Sequence, residues 1–155
     1  MGIEIERKFL VKNDAWRAGV DSQVHIMQGY IANNAGLTVR VRIKGAGAFL
    51  TIKGSTQGIS RAEYEYAIPV EDAETMLREL AISPPIDKVR HKIPVGEHVW
   101  ELDVFAGENE GLVMAEVELA SEDEVFDMPA WAGEEVSADQ RYYNVNLARN
   151  PYKHW

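Results

Sequence analysis

The chain has 155 residues, 46% of them apolar, no cysteine, and a net charge of −9 from 16 basic and 25 acidic side chains. This size and apolar share predict one domain over residues 1–155 with a real core, and with no apolar run near the roughly 18 residues of a membrane span, neither a membrane helix nor a signal peptide is expected. The acidic balance speaks against a nucleic-acid surface, which works through clustered Lys and Arg that displace counterions; the lack of cysteine removes disulfides and thiolate metal sites and is consistent with a reducing cytoplasm.

Residues 3–11 alternate charged and apolar positions, as a strand does. Asn13 or Asp14 then offers an N-cap for a short helix through Trp16. Period-two patterning returns over 24–32, 37–44, 48–53 and 62–69, with Gly36, Gly45, Gly47, Gly54 and Gly58 marking the turns. A helix is predicted over 71–81, because Ala73, Met76, Leu77 and Leu80 recur at helical spacing and Glu71, Asp72 and Glu74 favour its N-terminal end; Pro84-Pro85 stops it. Strands resume at 86–94, 97–105 and 112–119, the first two divided at Pro94 and Gly96 and the last two by a loop from Gly107 to Gly111. Connections this short fit an antiparallel meander, since parallel crossovers need a dozen or more residues. From Ser121, a candidate cap, the pattern turns helical or irregular, breaks at Pro129, and ends in a short helix over 138–148 before Pro151.

The strands carry like charges two residues apart, and the sign changes from strand to strand. Glu4 and Glu6 precede Lys8; then come Arg40 and Arg42, Lys53, Glu63 and Glu65, Lys88 and Arg90, Glu101 and Asp103, and Glu116 and Glu118. Residues i and i+2 share one face of a strand, so each pair projects to the same side. A solvated face of an ordinary half-exposed sheet is the bland alternative, but such faces usually mix Ser, Asn and Gln with charges of both signs. The opposite faces carry Ile3, Ile5 and Phe9, Val39, Val41 and Ile43, Leu50 and Ile52, Val89, Leu102 and Val104, Val117 and Leu119. If the sheet curls into a barrel with the charges inside, only ligand, ions and water can hold them there without a prohibitive desolvation cost. A polyanion bound together with divalent cations satisfies both signs of charge.

These motifs bring a family into view. Glu4-Ile5-Glu6-Arg7-Lys8 resembles the E-x-E-x-K signature of the CYTH superfamily of triphosphate tunnel metalloenzymes. Arg40-x-Arg42, Thr51-x-Lys53, Glu63-x-Glu65, Lys88-x-Arg90, Glu101-x-Asp103-x-Phe105 and Glu116-x-Glu118 follow in the family's order, and Arg141-Tyr142-Tyr143-Asn144 looks like the ending of its short bacterial members. The resemblance implies an α+β fold: an eight-stranded antiparallel β-barrel tunnel with flanking helices and a C-terminal helix, cleaving a triphosphate with Mg²⁺ or Mn²⁺. It further implies that Lys8, Arg40, Arg42, Lys53, Lys88 and Arg90 bind phosphate. Glu4 and Glu6, with Glu116 or Glu118, would hold the ion that orients the triphosphate, and Glu63, Glu65 and Asp103 a second ion or the attacking water. Tyr30 aligns with a tyrosine that some members pair with a lysine, here Lys88, to deprotonate water; a plain wall residue is the equal alternative.

Inorganic tripolyphosphate hydrolysis is the expected reaction. A class IV adenylate cyclase, a nucleoside or thiamine triphosphatase and a non-catalytic polyphosphate-binding module are the alternatives, and the intact acidic pairs favour an enzyme. The expected partner is a small triphosphate, without nucleic acid or membrane, for a cytoplasmic monomer or homodimer. His25, His91, His98 and His154 lack metal-ligand spacing, Trp16, Trp100, Trp131 and Trp155 read as packing or tail residues, Tyr142 and Tyr143 as core or tunnel-closing residues, and Arg141 as a possible cap on the far phosphate.

Overall fold

In the computed structural model, which describes residues 2–155, the alternating segments are strands. They run β1 (Gly2–Val11), β2 (Ser22–Asn34), β3 (Leu37–Lys44), β4 (Gly47–Gly54), β5 (Ser60–Ile68), helix α1 (Val70–Glu79), β6 (Ile86–Val95), β7 (His98–Phe105), β8 (Val113–Glu118), β9 (Ala132–Glu135) and helix α2 (Asn144–Arg149). Every pairing is antiparallel, and β1 pairs with both β5 and β8, so β1-β5-β4-β3-β2-β6-β7-β8 close into an eight-stranded barrel. The β1–β5 pairing covers residues 2–5; farther along, Phe9 and Val11 pair with β9 instead, a ninth strand outside the ring.

Outward faces bury their apolar residues under the connecting segments. Phe9, Trp100, Leu102, Ala115 and Val117 pack with Trp16 and Trp131, and the Trp100 ring lies 5.4 Å from those of both Phe9 and Trp131. Helix α1 covers the opposite side, setting Ala73 against Val41 and Ala48. It packs closely because β2 offers Gly29 there: a Cβ on that residue would fall 2.7 Å from Leu77 Cδ2. Not all of the outer face is covered, for Tyr64 and Tyr66 on β5 stay exposed.

The interior differs from a uniformly charged tunnel. One alternation step from Lys88, Asp103 and Glu116 along the inward rows stand Ile86, Phe105 and Met114, and these form an apolar cluster with Tyr30, Val136, Tyr142, Val145 and Leu147. The C-terminal segment therefore closes one end of the barrel.

Several expected elements change shape. The short helix at Trp16 is a 3-10 turn over Ala15–Gly19, opened by Asn13, whose Oδ1 accepts from the Ala15 amide at 2.9 Å. Strand β6 runs through Pro94, which pairs with Val99, instead of ending there. Residues 121–131 are irregular and not helical: a turn at Ser121 is fixed by Glu124, which accepts from the Ala120 amide and bonds the His98 ring. The helix expected over 138–148 is split into a 3-10 turn at Gln140–Tyr142, capped by Asp139, and α2. No helix among the described residues is long and apolar enough to cross a membrane.

Candidate active site

Strand alternation turns the charged rows into a cavity of about 200 Å³ inside the barrel. Its wall carries Glu4, Glu6 and Lys8 from β1, Tyr30 from β2, Arg40 and Arg42 from β3, Lys53 from β4, Glu63 and Glu65 from β5, Lys88 and Arg90 from β6, and Glu116 and Glu118 from β8. Asp103, expected as a metal or water ligand, does not line it. Both of its oxygens are taken: Arg90 donates to them at 2.8 and 2.9 Å, and Lys88 Nζ lies 2.8 Å away. Lys44, Arg61, Ser137, Tyr143 and Asn144 also line the cavity without having been predicted as binding residues. Period-two spacing could have found Lys44, two residues past Arg42, and Arg61, two before Glu63. No such signal marks Ser137 or Asn144.

Many of the opposite charges meet. Lys8 bonds Glu116 and, at 3.1 Å, Glu6; Lys53 reaches Glu4 at 2.9 Å and Glu63 at 3.4 Å. Burial would lower the Lys8 pKa, but Glu116 and Glu6 outweigh it and hold it above the ordinary lysine value. Burial likewise works to raise Glu116, yet Lys8, Arg90 and Lys88 keep it well below the carboxylate range. Lys88 goes the other way: burial, with Arg90 and Arg42 nearby, pulls it down to about 7 against the attraction of Asp103 and Glu116.

The β3 arginines are less well matched. Among the described residues Arg42 has no carboxylate partner; its Nε donates to Gln28 Oε1 at 2.8 Å, and burial with the charges of Arg40 and Arg90 pulls its pKa down to about 9. Arg40 donates to Thr51 Oγ1 at 3.2 Å and lies 3.8 Å from Glu65, while its Nε is buried without a hydrogen-bond partner among the described residues. Buried guanidinium groups short of acceptors are costly alone and are satisfied by an oxyanion.

The carboxylates show the converse imbalance. Glu6 sits opposite Glu118 on paired strands, and Glu101 opposite Glu116. Like charges in such register repel. Glu118 has no basic partner among the described residues, and burial, then Glu4, Glu6, Glu63 and Glu101, raise its pKa. Among the described residues no three acidic or histidine side chains already converge as a finished metal cage. The donor chemistry nevertheless fits a hard divalent cation, which takes carboxylate oxygens and would relieve the repulsion around Glu118.

Among the described residues Tyr30 and Lys88 share no hydrogen bond. Gln28 Nε2 donates to Tyr30 Oη at 3.2 Å and to Asn144 Oδ1 at 3.1 Å, and Asn144 Oδ1 also accepts from Lys88 Nζ at 2.7 Å. The tail tyrosines divide: Tyr142 packs in the apolar end, whereas Tyr143 faces the cavity with Lys8 and Arg61 each 5.8 Å from its ring. Arg141 lies outside, paired with Asp139 at 2.7 Å. His25 pairs with Asp87 at the surface, and His91 packs on Trp16.

The chain is similar to known proteins over nearly all of its length. The chain is 48% identical over 155 residues to an inorganic triphosphatase of Acetivibrio thermocellus, covering 100% of this chain and 99% of that protein. It is 42% identical over 150 residues to an inorganic triphosphatase of Nitrosomonas europaea, covering 94% and 96%. The crystal structure of an inorganic triphosphatase superposes with a TM-score of 0.66 at 37% identity, covering 94% of this chain and 93% of the other. The CYTH domain pattern itself matches residues 2–149, and with its closed barrel and charged interior this chain belongs to the CYTH domain family.

Proposed function

We propose that this protein is a divalent-cation-dependent inorganic triphosphatase, which uses water to split tripolyphosphate into pyrophosphate and phosphate inside the barrel. The observation that carries this reading is the pair of under-satisfied arginines, Arg40 and Arg42, facing a cavity that also holds carboxylates from β1, β5 and β8. The inorganic triphosphatases to which the chain is similar support it.

Arg40 and Arg42 offer forked donors to phosphoryl oxygens, and Lys8, Lys53, Lys88 and Arg90 surround the rest of the polyanion. Asp103 acts as an anchor: it fixes Arg90 and Lys88 at the cavity wall by direct bonds. Glu4, Glu6, Glu116 and Glu118 would hold the cation, Mg²⁺ or Mn²⁺, which supplies charge neutralisation and polarises the phosphoryl oxygens. Glu63 and Glu65, with side chains 29% and 44% exposed, have the solvent access needed to orient the attacking water and accept its proton at a carboxylate oxygen. Tyr30 contributes through Gln28, as a wall residue that keeps the Arg42 partner in position.

Preorganised donors of this kind reward a substrate with three consecutive phosphoryl groups over a shorter one. Phosphate release from tripolyphosphate, ATP and pyrophosphate, measured side by side with Mg²⁺ and with Mn²⁺, tests the reading. Tripolyphosphate should have the highest kcat/KM. Faster turnover of ATP, with cyclic AMP and pyrophosphate as products, would replace this function with adenylate cyclisation.

A further inference from the structure

Asn144 is the first residue of α2, but its side chain does not cap that helix, whose N-cap is Tyr143. It faces the cavity instead. An asparagine amide has two acceptor sites on Oδ1 and two donor hydrogens on Nδ2. Both acceptor sites are engaged, by Lys88 Nζ at 2.7 Å and Gln28 Nε2 at 3.1 Å, whereas Nδ2 makes no hydrogen bond among the described residues. The amide is locked in this sense. Turning it over would set its NH₂ against the Lys88 ammonium and the Gln28 NH₂, donor against donor, and Gln28 cannot turn because its Oε1 accepts from Arg42.

We propose that Asn144 is a further substrate-contacting residue: with Oδ1 held by Lys88 and Gln28, Nδ2 donates to an oxygen of the phosphoryl group at the closed end of the tunnel. The inference rests on the triphosphatase reading for the identity of the anion. Asn144 borders Val145 of the apolar cluster on one side and Lys88 on the other, so the last phosphoryl group meets it where the charged wall ends. The C-terminal helix thereby contributes chemistry to the site as well as closing it.

Asn144→Asp and Asn144→Ala separate this role from a structural one. Aspartate keeps an oxygen for Lys88 and Gln28 and should leave Tm unchanged, but it loses the donor; alanine loses the donor without adding charge. Tripolyphosphate affinity by titration calorimetry, and KM for phosphate release, should weaken at least about tenfold in both variants, the loss expected for a hydrogen bond to a charged group. An aspartate variant with wild-type Kd, or an alanine variant with wild-type Kd beside a weakened aspartate variant, would overturn the proposal, the second result leaving charge repulsion as the whole effect. Wild-type protein that binds tripolyphosphate without releasing phosphate would refute the enzymatic reading while the Kd comparison still judges Asn144. Absence of binding to wild type would overturn both.

Discussion

Glu118 condenses the electrostatic problem of this tunnel into one side chain: it faces Glu6 across two strands and has no cation beside it among the described residues. In protein stripped of metal, Glu118→Gln should therefore stabilise the fold. A directly opposed like-charge pair costs about 0.2–1 kcal/mol, so Tm should rise by roughly 1–3 °C. The sign follows from the raised pKa: the penalty exists only while the carboxyl is ionised, so the gain is present at neutral pH and disappears as pH falls through the raised value toward 4.5, the ordinary one. Thermal melts of both proteins at pH 4 and pH 7.5 check it. On the proposed role of Glu6, Glu6→Gln removes a cation ligand while keeping shape, so kcat should fall by at least about a hundredfold (roughly 2.7 kcal/mol) with little change in Tm. Arg42→Ala should raise KM as well as lower kcat, because the proposed phosphate clamp is lost together with the partner of Gln28. Steady-state kinetics of the two variants distinguish them.

At the scale of elements, α2 supports the closed end from outside the barrel. Leu147 is fully buried there against the apolar cluster, and Leu147→Ala should cost about 2–5 kcal/mol. Tm should then drop by roughly 5–15 °C, measurable by calorimetry. The barrel strands were legible because a period of two puts charge on one face and Val, Ile or Leu on the other, and that arrangement persists whatever the strands pair with. The closed end was not. Ile86 and Phe105 lie at the ends of expected strands and Met114 inside one, and only the return of residues 136–148 gives their inward faces a partner. Strand β9 was equally hidden, since Ala132-Gly133-Glu134-Glu135 has no β-branched residue and forms against the free edge of β1. Asp103 shares its strand face with Glu101, yet Lys88 and Arg90 on β6 bond both its oxygens, a pairing that spacing along β7 alone cannot reveal.

Across the whole molecule, opposite charges inside one closed wall make ligand and cation binding a matter of stability as well as of catalysis. A cation bound only by the folded protein adds about 2.7 kcal/mol at a hundredfold excess over its Kd, so Mg²⁺ or Mn²⁺ should raise Tm by roughly 5–10 °C. Chelator should return Tm to its starting value and abolish phosphate release; full activity in excess chelator would remove the cation from the mechanism. The division of β1 between β5 and β9 also bears on how the chain is made. Its partners lie at residues 60–63, 114–118 and 132–135, so β1, made before all of them, is among the last strands to find neighbours. Such long-range closure makes folding slow, and the waiting segment exposes unpaired backbone. Glu4, Glu6 and Lys8 then protect the nascent chain: the charges that later line the cavity first keep a solitary strand from joining its counterpart on a neighbouring copy.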